Sequence, residues 1–364
     1  MRSQTTHHPR LQHQHGISLV ELMISMVIAL VLAGAVLLTY SSTRASFTFA
    51  GNASQVQEAG RFAINHLAED IRLAGYWGNN TKPSEVVILD DVLGKDQGCG
   101  VDFVADMNAG FRVLNDPTNL QLPDCIDPDN HLDGSDIIIT RHAGAPLESV
   151  NDIRARDLYF NAGAFIGYVF AADANDTIDA AAVFTANPPP VVYPYEVFIY
   201  YVRNCSDPGE VGNNSKCDVP AAGTPGDDTI PTLVRMTQVR SGAGANPPGT
   251  FREDPIAENI EDMQVIVGED TDGDNAIDRL RLADTVVDWD NVHSAEISLL
   301  VKAPVPEADY LENVDGPVNP VNGQHGSYSY GGKTVNKSDN FRRRVYTSTV
   351  FLRNDPSENT YEFN

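Results

Sequence analysis

The sequence predicts an α+β protein in which one long amino-terminal helix packs on an antiparallel β-sheet head with long loops. Three observations carry this. An apolar run begins at Ile17, no proline occurs between Ile17 and Trp77, and beyond Gly78 the patterning changes to short β-branched and aromatic runs set between Gly, Pro, Asn and Asp.

The first element is the apolar run. Ile17 to Leu38 is 22 residues, with Ser18, Glu21 and Ser25 as its polar members. About 20 apolar residues cross a bilayer as a helix, so the first half of the helix is expected to span a membrane. Glu21 stands out, because a carboxylate in hydrocarbon costs roughly 2–3 kcal/mol or more and calls for a partner. Ahead of the run, Met1 to Gly16 is polar, with Arg2, Arg10 and the four histidines His7, His8, His13 and His15. A positively biased leader stays in the cytoplasm, which exports the bulk of the chain. A secretory signal has its small-residue cleavage site after the apolar run, whereas Gly16 precedes it. A cut after Gly16 removes the leader and keeps the helix.

The second half of the helix follows a stretch of poor helix formers, Ser41 to Asn52, with a weak point expected near Gly51. From Gln55 the period is helical: Val56, Ala59, Ala63, Leu67, Ile71 and Ala74 share one face, while Gln57, Arg61, Asn65, Glu69 and Arg72 lie opposite. Gly75 is the expected stop. The chain therefore parses into a leader over 1–16, a membrane-spanning half-helix over 17–40, an amphipathic half-helix over 41–78 and a β-rich head over 79–364.

In the head, strands are expected at Asp136–Arg141, Asp157–Phe160, Ile166–Phe170, Val197–Val202, Leu233–Thr237, Met263–Val267, Ala295–Lys302 and Arg344–Leu352. Ile256–Asp262 reads as a short helix leading into the Met263 strand. Val219–Ile230, Ser241–Gly249 and Pro304–Lys337 read as long loops.

A formal net charge of -25 argues against a nucleic-acid binder, which neutralises phosphates with Lys and Arg. Proteins and cations are the expected partners. The four cysteines have no CxxC spacing, so disulfides in an oxidising compartment are expected rather than zinc. Proximity pairs Cys99 with Cys125 and Cys205 with Cys217, with the other pairings left open. No GxSxG, GxxxxGK[ST] or HExxH occurs, which lowers the expectation of an enzyme.

The clearest candidate for site chemistry is the loop Asp270 to Asp278. Asp270, Asp272, Asp274 and Asp278 stand at the first, third, fifth and ninth places of an EF-hand-like loop, with the Ala276 carbonyl at the seventh. Asn275 stands in place of the usual Gly, and Arg281 in place of the bidentate Glu. Calcium in a structural role is one reading and an acidic hairpin turn the other. A second acidic cluster, Asp124, Asp127, Asp129, Asp133 and Asp136, surrounds Cys125 with irregular spacing and reads as a solvated loop. Arg342-Arg343-Arg344 is the one concentrated basic run and reads as a solvated entry to a strand.

Gly16 followed by Ile17-Ser18-Leu19-Val20-Glu21-Leu22-Met23 resembles the leader of type IV pilins and type II secretion pseudopilins, although that family usually carries Phe where this chain has Ile17. The resemblance implies that a prepilin peptidase cuts after Gly16 and methylates Ile17, and that Glu21 serves assembly. Leu67 to Gly78, Leu132 to Ile139, Asn259 to Val265 and Arg342 to Val350 are similar to PilW-type minor pilins. Such a subunit is held in the inner membrane with its head in the periplasm, then joins a type IV pilus, where it promotes initiation near the tip and serves twitching motility and adhesion. The implied partners are other minor pilins, the major pilin, the inner-membrane assembly platform and a tip adhesin. A type II secretion pseudopilin of the J kind, or a membrane-anchored calcium-binding exported enzyme or adhesin, are the alternatives.

Overall fold

A computed structural model of the chain describes residues 18–78, 86–88, 99, 101–104, 106, 110–148, 158–162, 167–171, 191–211, 214–217, 229–238, 251–274, 276–307, 326–337 and 339–352. Gly16, Ile17 and Asn275 lie outside the described residues, as do the expected loop Ser241–Gly249 and most of Val219–Ile230. The chain divides into two units, 1–51 and 52–364.

Helix α1 runs over Leu19–Leu73, 55 residues, and is helical through Gly51, where a weak point is expected from propensity. In the first unit its residues are solvent-facing on every side: Leu22, Met26, Leu30, Leu37 and Phe47 are all more than half exposed. Ser25, Thr39, Thr43 and Ser46 turn their hydroxyls back onto carbonyls one turn earlier, at Leu22, Ala35, Thr39 and Ser42. That habit lets a short polar side chain sit in an apolar helix without an unsatisfied donor. In the second unit, α1 has one apolar stripe: Val56, Ala63, Ile64, Leu67, Ala68 and Ile71 are buried. The helix stops where the period predicts. Gly75 adopts φ 76°, a conformation costly for other residues, and donates its amide to Arg141 O at 2.9 Å.

The head is built of strands β1 (Val86–Ile88), β2 (Phe111–Leu114), β3 (Ile137–Ala143), β4 (Leu158–Ala162), β5 (Gly167–Ala171), β6 (Val191–Arg203), β7 (Gly209–Val211), β8 (Asn214–Lys216), β9 (Thr232–Gln238), β10 (Phe251–Glu258), β11 (Ile260–Glu269), β12 (Arg279–Leu282), β13 (Val292–Lys302), β14 (Gly326–Tyr330), β15 (Lys333–Lys337) and β16 (Arg343–Phe351), with a short helix α2 at Val101–Val104. An eight-stranded sheet has the order β1-β5-β4-β6-β3-β2, with β9 joined to β6 and β10 to β9; a four-stranded sheet has the order β12-β11-β13-β16. All pairs are antiparallel except β1 with β5. Each of the eight expected strands is present.

Two expectations are corrected. Ile256–Asp262 is not a helix: β10 runs to Glu258, Asn259 turns the chain at φ 63°, and β11 starts at Ile260. A register shift between Pro255 and Ala257 absorbs the proline at a sheet edge, where a missing amide is tolerated. Within the expected loop Pro304–Lys337, β14 and β15 form a hairpin whose Tyr328 and Tyr330 pack on Leu300 of β13.

One core joins α1 to both large sheets. Val56, Ala63, Leu67 and Ile71 meet Phe198, Tyr200 and Val202 of β6, Met263, Val265 and Val267 of β11, and Ile297, Leu299 and Val301 of β13. The opposite face of the large sheet buries Ile137, Ile139, Ile199, Tyr201, Val234 and Met236 under the segment that carries Cys99, Leu122 and Ile126. Strand β3 is therefore buried along its whole length, which explains its run Ile137-Ile138-Ile139.

Candidate functional site

The amino-terminal helix is the first candidate. None of the apolar residues in the first half of α1 is buried, and its length and composition suit a membrane span. Glu21 lies in the first turn of α1, where the aligned backbone amides favour a negative charge. Leu22 N donates to Ser18 O at 3.0 Å, so Ser18 already takes part in that turn.

The second candidate is the acidic loop between β11 and β12. Asp270, Asp272 and Asp278 come together, each offering a carboxylate oxygen within 4.8 Å of the other two. Asp270 is buried, whereas Asp272 and Asp278 are exposed. Asp270 Oδ1 accepts from the amides of Asp272 (3.2 Å) and Gly273 (2.7 Å), which folds the turn around it. Asp278 Oδ2 accepts from Thr271 N and Oγ1 at 2.7 and 2.5 Å, and these bonds hold its carboxyl below the usual range. Asp274 lies outside the group of three, its Oδ1 accepting Ala276 N at 2.8 Å. Arg281 pairs with the buried Glu269 at 3.0 Å, alongside Arg279 at 2.6 Å. The loop thus offers hard oxygens at one end and stands on a neutralised carboxylate at the other, a donor set suited to a cation that prefers oxygen ligands.

Both cysteine pairs are bridged as proximity suggests, Cys99 to Cys125 and Cys205 to Cys217. The first lies under the large sheet. The second is tied in by Asn130, whose Oδ1 accepts Cys217 N at 2.7 Å.

Two groups expected to be solvated are interior. Asp136, read with its acidic neighbours as part of a solvated loop, is fully buried. Its Oδ1 accepts Asp116 N at 2.8 Å and its Oδ2 accepts Val265 N at 2.7 Å, while its own amide donates to Met263 O at 2.8 Å. It therefore fastens the start of β3, in one sheet, to β11 in the other. Burial pushes its carboxyl up to about 7 against the pull of the two amides. The available signal was its position directly before an unbroken run of three isoleucines. Arg343, read as solvated, is 5% exposed and lies between Glu261 and Asp339, with Lys302 and Lys337 each 3.7 Å from Glu261. Burial pushes the Glu261 carboxyl up, but the Arg343 guanidinium and the two lysines outweigh it and hold the group below the usual range. Arg342 pairs with Glu307, which also accepts from Asn52 of α1 at 3.0 Å. Only Arg344 of the run faces solvent.

Of the histidines beyond the amino-terminal helix, His131 and His142 are buried structural residues. His131 Nε2 lies 3.0 Å from Ser135 O, and His142 packs its ring on Phe198. His293 is 4.0 Å from Asp270 at the base of the acidic loop.

Residues 200–354 match the family model of type IV pilus-assembly protein W, and residues 11–37 match the prokaryotic N-terminal methylation motif. No curated protein and no solved structure matches the chain. The motif covers the end of the expected leader and the start of α1, and the family match covers the strands from the end of β6 to β16, several of which pack on the second half of α1. A methylation motif at the head of an apolar helix long enough to cross a membrane and an assembly-protein W match over residues 200–354 together support a PilW-like minor pilin of the type IV family, and the amino-terminal helix fits a membrane anchor.

Proposed function

We propose that the chain is a low-copy subunit at or near the tip of a type IV pilus, where it promotes initiation of assembly and so serves twitching motility and adhesion. The observation that carries this is the carboxylate of Glu21 in the first turn of α1, whose first half is exposed, has no other charged residue before Arg44 and starts within a methylation motif. A cut after Gly16 makes the Ile17 amine a cation one turn from Glu21, and the methylated Ile17 then begins the mature chain. In a filament the same carboxylate neutralises the amine of a neighbouring subunit, which offsets the cost of burying either charge. The partners in this reading are prepilin peptidase, the inner-membrane assembly platform, the major pilin, other minor pilins and a tip adhesin. The head lies in the periplasm before assembly and at the cell surface afterwards. A head of this size, built on two sheets, is easier to fit once at an end than repeatedly along a thin fibre.

Mass spectrometry of the mature chain tests the processing step, with a methylated amino terminus at Ile17 as the expected result. Glu21→Ala is expected to leave the head folded and to remove the subunit from isolated pili. Recovery in pili at the level of the unaltered chain would refute the assembly role, and detection along the fibre in major-subunit quantity would refute the tip position.

Calcium held by Asp270, Asp272 and Asp278 is a second part of the proposal, with a structural role in fixing the β11–β12 connection. The three converging carboxylates support it. Calcium titration of the full chain in detergent micelles is expected to raise its melting temperature, and Asp278→Asn to abolish the rise. A plain turn predicts no dependence on calcium.

A further inference from the structure

Strand β16 is the outermost strand of the four-stranded sheet, paired with β13 in an unbroken one-to-one register from Arg343 to Phe351. The bonds flanking the ladder give its phase. Ala303 N donates to Arg342 O at 2.7 Å and Leu352 N to His293 O at 2.9 Å, so the even-numbered residues 342 to 352 turn their amides and carbonyls toward β13. Val345, Thr347, Thr349 and Phe351 therefore turn theirs to the free side. No partner for these groups occurs among the described residues.

The other edges of the two large sheets are short or guarded, and β1 has only three residues. Strand β10 carries Pro255, a register shift and the charges Arg252, Glu253, Asp254 and Glu258. Strands β2 and β12 have four residues each, with Arg112 in one and Arg279 and Arg281 in the other. From Val345 to Phe351, β16 has no charge, no proline and no bulge. Such an edge is a template for an added strand unless something blocks it. The hairpin β14–β15 covers only its start, at Val345, and leaves Thr347, Thr349 and Phe351 open, with Phe351 61% exposed.

We propose that the free edge of β16 accepts an extended strand donated by another protein, lined with β-branched or aromatic residues and carrying a carboxylate where it passes Arg344. Thr347, Thr349 and Phe351 present the side chains that β-branched and aromatic neighbours match across a pair of strands. Arg344 is exposed, stacks 5.4 Å from the Tyr346 ring and has no carboxylate partner among the described residues. A second copy of this chain is a poor occupant. Antiparallel self-pairing about Thr347 sets Arg344 against Val350, and each copy brings a net charge of -25. The inference concerns the head alone and stands apart from the proposed processing and tip position.

The test uses the full chain in detergent micelles and two synthetic peptides of the length of β16, both alternating Val and Thr, one with Glu near each end and the other with Lys. Amide hydrogen exchange is followed residue by residue. The Glu peptide is expected to slow exchange at Val345, Thr347, Thr349 and Phe351 by about tenfold or more, with β10 unchanged. Arg344→Glu is expected to shift the preference to the Lys peptide. Thr347→Pro removes an amide that faces away from β13, so it leaves the sheet paired and abolishes the protection. Equal protection of β10, or no protection by either peptide, overturns the proposal. So does protection in the chain alone, since the edge is then filled by the chain itself, and protection that grows with chain concentration, since the occupant is then a second copy.

Discussion

Gly60 of α1 lies against the ring of Tyr346 on β16 so closely that a β-carbon at position 60 would overlap the ring. The contact is where the amphipathic half of the helix meets the four-stranded sheet. In an isolated helix Gly→Ala stabilises by about 1 kcal/mol, but forcing a methyl into a closed contact costs about 1–3 kcal/mol. The steric cost wins here because the ring is held between the helix and Arg344. Gly60→Ala is expected to lower the melting temperature of the head. In Tyr346→Ser the same change at Gly60 is expected to be neutral or stabilising, and a double-mutant cycle on thermal unfolding reads the reversal.

Tyr200 of β6 donates its hydroxyl to Asp70 of α1 inside the core, and Arg235 approaches the same carboxylate at 3.5 Å. Tyr200→Phe removes the closest donor to a carboxylate that is 9% exposed. Loss of a hydrogen bond to a buried charge costs about 1.5–3 kcal/mol. Asp70→Asn in the Tyr200→Phe background is expected to recover part of it, because the group left behind is then neutral. Urea unfolding of the four chains measures both steps.

Asp136 gives the head a pH dependence of defined sign. Its carboxyl is pushed up to about 7, whereas the unfolded chain holds it at 3.8. Between these values the folded chain binds more protons than the unfolded one, so its contribution to stability falls as pH rises from about 4 to about 7. Asp136→Asn replaces one of two acceptors by a donor facing an amide, and is expected to destabilise by about 1–3 kcal/mol at low pH. The gap between the two chains should narrow toward neutral pH, where the unaltered chain carries a buried charge. Unfolding midpoints from pH 4 to pH 8 check this, and a gap that widens would contradict the assignment.

The bridge between Cys205 and Cys217 closes the segment that follows β6, and its loss is expected to cost about 2–4 kcal/mol. Cys205→Ser with Cys217→Ser should lower the melting temperature without reductant, and added reductant should then have less effect than on the unaltered chain.

Much of this architecture is legible in the sequence because it rests on local periodicity. The 3.6 period of Val56, Ala63, Leu67 and Ile71 locates the packed half of α1, and the alternation or continuity of apolar residues locates all eight expected strands. What was not legible depends on partners distant in sequence. Asp136 meets Val265 and Arg343 meets Glu261, so acid and base that look solvated in isolation are interior. Ile256 to Asp262 has apolar spacing that suits either a helix or a strand, and the choice is made by Thr232–Gln238, which pairs with β10. In the acidic loop the carboxylate spacing was legible, but which of them converge was not. Asp274 spends its oxygen on Ala276 N, and the convergent set is Asp270, Asp272 and Asp278.

The hairpin β14–β15 meets β11 at two charged centres, Lys337 beside Glu261 and, more closely, Lys333 and Tyr330 on Asp262. Asp262, 5% exposed, accepts from Tyr330 Oη at 2.6 Å and Gln264 Nε2 at 2.9 Å and lies 3.1 Å from Lys333 Nζ. Lys333 also donates to Gly134 O, which ties the hairpin to the turn before β3. Lys333→Met keeps the length of the side chain and removes the charge, leaving Asp262 buried with neutral donors only. Removing one partner of a fully buried pair costs about 3–5 kcal/mol, and the one-third exposure of Lys333 brings the expected loss down to about 2 kcal/mol. The loss should be local: amide exchange is expected to quicken across Gly326–Lys337 while β11 and β13, paired with each other, stay protected. Adding Asp262→Asn removes the stranded charge yet leaves an oxygen for Tyr330, so slow exchange should partly return to the hairpin. Quickened exchange spread evenly over the whole four-stranded sheet would instead mean that the hairpin and the sheet open as one unit.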